Sequence, residues 1–176
     1  MQKLIKITSV LVFLVSSITI GQLEGFKFQE LSKDSLLKIA SEIIKKQRTC
    51  TFITVDKDQK PHARVLAYFQ PENDWKIWLG TSTNSRKVVQ AKNNPNVIVF
   101  YYDSEGRSYV SISGKARVVN DPELKKKYWK NEWKVYYPNP EDDYILIEVT
   151  PQRLEICSFK YKLFWDSLGK PAFVDF

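Results

Sequence analysis

From Thr49 onward the chain is built of short β-branched and aromatic runs, each stopped within about ten residues by turn formers. Strands are expected at Thr49 to Asp56, His62 to Gln70, Trp75 to Gly80, Val97 to Asp103 and Tyr109 to Asn120, with two more at Tyr144 to Thr150 and Arg153 to Phe159. The breakers Asp56-Lys-Asp-Gln-Lys-Pro61 and Pro71-Glu-Asn-Asp74 separate the first three. Helices are expected at Ser32 to Lys46, where Leu36, Leu37, Ala40, Ile43 and Ile44 share one face, from Ser85 onward, and after Asp121-Pro122-Glu123. This pattern specifies a mainly β fold, a small antiparallel Greek-key-like β-barrel with flanking helices. A chain of 176 residues with 43% hydrophobic and 14% aromatic residues can fill one such core.

Chemistry concentrates between residues 61 and 95. Arg64 stands on one apolar strand, and the turn Thr81-Ser-Thr-Asn-Ser85 leads into Arg86 and Lys87. Hydroxyls and turn amides donate to phosphate oxygens, and two cations at a helix N-terminus neutralise the charge. A phosphorylated ligand suits this pattern; an ordinary polar turn with an N-capping serine and two solvated cations is the plain alternative.

The ordered set Pro61-His-Ala-Arg-Val-Leu66, Trp78-Leu-Gly-Thr-Ser-Thr-Asn-Ser-Arg-Lys87, Asn94-Pro95 and Tyr109-Val-Ser-Ile-Ser-Gly-Lys-Ala116 resembles the FMN-binding split barrel of the pyridoxamine 5'-phosphate oxidase superfamily. Trp129, Trp133, Tyr136-Tyr-Pro138 and Asp142 to Pro151 are similar to its general stress protein-like branch. The resemblance implies FMN in a cleft between two copies of a homodimer. It implies that Arg64 reaches the phosphate and ribityl region and that Val65, Leu66 and Ala67 lie along the isoalloxazine. Gly80, Thr81, Ser85, Arg86 and Lys87 would hold the phosphate. Tyr109 stands where related oxidases carry a flavin-touching glutamine, and Trp129 and Trp133 are either a lid or core.

The chain departs from the vitamin B6 oxidases in its last residues. Tyr161 to Phe176 contains no Arg-Leu-His-Asp-Arg clamp, and Cys157 replaces a tryptophan, so oxidation of pyridoxamine 5'-phosphate is not expected. The resemblance leaves a flavin-dependent oxidoreductase acting on an unidentified small molecule, with a non-catalytic flavin-buffering protein and a barrel holding deazaflavin or haem as alternatives. His62 is a proton donor or a solvated turn residue.

Lys3 and Lys6 precede an uncharged run from Ile7 to Leu23, the pattern of a secretory signal peptide over 1–21, cleaved after Gly21. An uncleaved membrane anchor is the alternative. The reading is therefore an exported protein, periplasmic or secreted, with a domain over 24–160 and a tail over 161–176. In an oxidising compartment Cys50 and Cys157, on the first and last expected strands, either pair or remain two buried thiols. Two cysteines and one histidine make no tetrahedral zinc site. The net charge of +7 is spread among interspersed charges of both signs. The longest basic run, Lys125-Lys126-Lys127, is expected to be a solvated helix face, so nucleic acid is not an expected partner.

Overall fold

A computed structural model describes residues 31–176; the expected signal segment lies outside them. The seven strands are β1 (Thr49–Val55), β2 (Pro61–Phe69), β3 (Ile77–Ser82), β4 (Asn96–Asp103), β5 (Ser108–Val119), β6 (Tyr144–Ser158) and β7 (Ala172–Asp175). All pairings are antiparallel in the order β3-β2-β1-β4-β5-β6-β7, and β6 returns to pair with β3. Strands β1 to β6 thus form a closed six-stranded barrel with flanking helices. Alternating residues such as Cys50, Phe52, Val97, Val99, Tyr101, Val110 and Ile112 fill its interior.

Helix α1 (Lys33–Lys45) is capped by Ser32, whose Oγ accepts from the Ser35 amide, and it buries Leu36, Ala40, Ile43 and Ile44 against the core. Helix α2 (Arg86–Asn93) adds Val88 and Ala91 to the same core. Helix α3 (Pro122–Lys127), a 3-10 turn (Asn131–Val135) and α4 (Pro140–Asp143) cover the outside of β3 and β6. There Trp78, Val119, Tyr128, Trp133, Tyr144 and Leu146 make a second apolar cluster. No helix among the described residues is long and apolar enough to cross a membrane.

Several boundaries differ from the sequence expectation for physical reasons. Strand β3 starts at Ile77 because Trp75 has φ 63° and donates its amide to the Glu72 carbonyl, closing the preceding turn. The two strands expected around Pro151 are one, β6. Pro151 lies opposite Gly114 where the β5–β6 register shifts, and the Thr150 carbonyl comes so close to Gly114 that a side chain there would overlap it. The helix after Asp121 ends at Lys127, which leaves Trp129 in a break rather than on a helical face with Trp133.

The segment expected as a tail supplies β7. Ala172 and Val174 enter the core, and Arg153 forms a two-pronged ion pair with Asp175, Nε to Oδ1 at 2.7 Å and Nη2 to Oδ2 at 3.0 Å. Cys50 and Cys157 are both buried and unbonded. Strand β1 is flanked by β2 and β4, so β4 and β5 stand between the two cysteine-bearing strands. Lys125 is not on a solvated face: it is nine-tenths buried.

Candidate functional site

The β1–β2 register sets Arg64 opposite Phe52 and His62 opposite Thr54, so these side chains share the interior side of the barrel wall. Arg64 stands at the barrel's mouth under α2. Its Nη1 donates to Thr54 Oγ1 at 2.6 Å and its Nη2 to Gln90 Oε1 at 2.9 Å, while Thr54 Oγ1 donates to the same Gln90 oxygen at 2.6 Å. The guanidinium is thereby fixed against α2. Thr54 and Gln90 escaped the sequence reading. The one available signal was Gln90 itself, a polar side chain on the α2 face that otherwise buries Val88 and Ala91.

The turn after β3 brings a second set of donors to this place. Thr81 is buried, Ser85 Oγ lies 3.3 Å from Thr81 Oγ1, and Lys87 Nζ donates to Thr81 Oγ1 at 2.9 Å. Ser85 occupies the N-cap position of α2 without making a side-chain cap bond, so its hydroxyl is not spent on the helix. Burial, then the positive charges of Arg64 and Arg86, hold the Lys87 ammonium below its ordinary range. Burial and Arg86 do the same to Arg64. Among the described residues none of these three cations forms an ion pair with a carboxylate. Three converging, uncompensated cations beside two hydroxyls and a helix N-terminus are arranged to accept an anion, and a phosphate monoester satisfies both the charge and the donors.

A planar group attached to that phosphate would meet the neighbouring edge of β2. Strand β2 pairs with β1 throughout but with β3 only at Tyr68–Leu79 and Phe69–Trp78. Residues 61–67 therefore have no ladder partner on the β3 side, and their main-chain groups on that edge are open to a ligand. Val65 is 66% exposed, whereas Leu66 packs against the barrel core and Ala67 against the second cluster.

Other expected site residues fall elsewhere. Gly80 lies at β3's outer face, where a Cβ would overlap the Trp133 ring and stand 2.6 Å from Tyr144 Cε2. Its smallness serves the aromatic packing. Tyr109 pairs with Tyr102 and Cys157 and stacks on Phe100 at 5.4 Å. Within one chain it is separated from β2 by β1 and β4. Trp133 is buried against Phe69 and Tyr144, a core position. His62 Nε2 meets Asp56 Oδ2 at 2.7 Å, a bond that is the main cause holding the Asp56 carboxyl below the usual range.

Residues 34–167 match the model of the family described as pyridoxamine 5'-phosphate oxidase like. The chain is 30% identical over 119 residues to General stress protein 26 of Bacillus subtilis, which covers 65% of this chain and 83% of that protein. It is also 30% identical to the crystal structure of General Stress Protein 26 from Bacillus anthracis, with a TM-score of 0.64 over 80% of this chain and 98% of that one. A pyridoxamine 5'-phosphate oxidase-related, FMN-binding protein from Nostoc punctiforme shares the fold at a TM-score of 0.60 and 12% identity, covering 83% of this chain and 98% of that one.

Proposed function

We propose that this chain, which belongs to the pyridoxamine 5'-phosphate oxidase-like family, is an FMN-binding protein that carries out flavin-dependent redox chemistry on a small molecule. The observation that carries this reading is that Lys87 donates to Thr81 Oγ1 beside the Ser85 hydroxyl, within the fields of Arg64 and Arg86, with no carboxylate paired to any of the three cations among the described residues. Arg64, Thr81, Ser85, Arg86 and Lys87 would hold the phosphate, and the open edge of β2 would face the polar margin of the ring system. The flavin, when bound, supplies hydride or electron transfer. The residues around it bind and orient.

The homodimer is part of the same reading. Val65 of β2 and Tyr102 of β4 are exposed and Phe100 of β4 and Tyr109 of β5 half-exposed on one outer face, with Thr51 of β1 between Val65 and Phe100, and a second copy covering that strip would place Tyr109 beside a flavin held by its partner. A role in stress tolerance follows the names of the Bacillus relatives. Export through residues 1–21 is proposed on the charge and hydropathy of that segment, and an N-terminus at Gln22 in the mature protein tests it. Pyridoxamine 5'-phosphate is not the proposed substrate, because the chain has no Arg-Leu-His-Asp-Arg clamp. The test of the reading is the visible spectrum of the purified full chain with added FMN: shifted flavin bands and quenched FMN fluorescence support it, and an unchanged free-flavin spectrum refutes it.

A further inference from the structure

Outside the barrel, on the face of β6 covered by α3 and α4, lies a cavity of about 650 Å³. Small-molecule pockets span about 300–1,000 Å³. Two features of its lining are unusual for surface packing. The first is an aromatic corner: the half-buried Trp129 meets the buried Tyr144 edge to face at 5.3 Å and 81°, and the Tyr144 hydroxyl is committed to the Tyr128 carbonyl, so the open apolar surface is that of Trp129, held in place by Tyr144. Pro122 and Pro140, each in the first turn of its helix, hold the rims.

The second feature is Lys125, nine-tenths buried at this lining. Its ammonium donates to Asn120 Oδ1 at 3.1 Å and to the Glu141 main-chain oxygen at 2.6 Å, both neutral acceptors. Among the described residues it has no carboxylate partner. An ammonium carries three donors, so one remains, and a buried charge without a counter-ion is costly. The Asn120 amide, held through its oxygen, has its NH₂ left to donate.

We propose that this cavity binds a small monocarboxylate with a flat apolar body, an aryl- or indolyl-type acid, with Lys125 as its counter-charge and Trp129 against its ring. The lining's two cations, Lys125 and the exposed Lys126, are balanced by the exposed carboxylates of Glu123 and Glu141, which penalise a dianion more than a monoanion and so favour a monocarboxylate over a phosphomonoester. The site does not depend on the flavin reading, since β3 presents Gly80 to the aromatic cluster on this side and Thr81 to the phosphate turn on the other.

Calorimetric titration of the full chain with indole-3-acetate tests the proposal, with indole-3-ethanol and phenyl phosphate as comparators. The expected result is saturable binding with Kd at or below about 1 mM, with both comparators weaker by roughly tenfold or more, the ratio for one charge-assisted contact. Lys125→Met loses the same factor, while Lys38→Met, exposed on α1 and away from this cavity, binds as the wild type does. If Lys125→Met does not fold, the indole-3-ethanol comparison reports the same charge contact in the wild-type protein. Absence of saturation, equal binding of acid and alcohol, a preference for phenyl phosphate, or displacement of bound indole-3-acetate by FMN overturns the proposal.

Discussion

Lys87 donates through Nζ to Thr81 Oγ1 at 2.9 Å, which ties the first turn of α2 to the end of β3. A ligand phosphate would accept from both groups. Lys87→Ala and Arg86→Ala are each expected to weaken FMN by roughly ten- to a hundredfold, the equivalent of about 1.5–3 kcal/mol for one charge-assisted contact. Riboflavin, lacking the phosphate, should change little. Fluorescence titration of both flavins on each variant checks this, and equal losses for the two would place these cations away from the phosphate.

Gly80 acts through packing. Gly80→Ala drives a Cβ into the Trp133 and Tyr144 rings, and overpacking of this kind costs about 1–3 kcal/mol. The urea midpoint should fall while the preference for FMN over riboflavin among folded molecules is retained. An unchanged midpoint with a lost preference would return Gly80 to the phosphate site.

The final strand is part of the core. Val174 is buried and paired with Leu154, so Val174→Ala should cost roughly 1.5–3 kcal/mol through lost burial and the cavity left behind. Truncation after Pro171 strips the partner from residues 153–156 of β6 and should produce aggregation through that bared edge. A truncated chain that melts as the full chain does would contradict this.

Burial pushes the Cys50 thiol up from 9.0 to about 12. In the unfolded chain the thiol ionises near its ordinary value, while the folded chain keeps its proton until about pH 12. This contribution to stability is therefore complete below pH 9 and is lost as pH rises towards 12, with a slope of at most about 1.4 kcal/mol per pH unit. Urea melts from pH 8 to 11 should decline less steeply in Cys50→Ala. The native thiol should also resist a disulfide reagent at pH 8 until denaturant is added; prompt labelling of Cys50 would mean that the barrel interior opens.

The six barrel strands were legible because period-two apolar runs ended at turn formers, and the donors at Arg64 and Thr81 to Lys87 because hydroxyls and cations cluster in few places along this chain. What escaped depends on contacts distant in sequence. Thr54 and Gln90 join Arg64 only after α2 folds over the barrel mouth. Lys125 is buried because α4 brings the Glu141 carbonyl across to it. Pro151 read as a break, yet Gly114 opposite lets the strand pass through it. Strand β7 is four residues long, too short for its alternation to stand out, and its place is set by pairing with Arg153 to Ile156 of β6.

The central claim is that Arg64, Arg86 and Lys87 form a site for a phosphate monoester, and calorimetric titration of the wild-type full chain with FMN and with riboflavin, at low and high salt, tests it most directly. FMN should bind at least about a hundredfold tighter than riboflavin, the worth of two charge-assisted contacts at the low end of their range, and the margin should narrow as salt screens the cations. Equal affinity for the two flavins, or a margin that salt does not alter, would contradict the assignment.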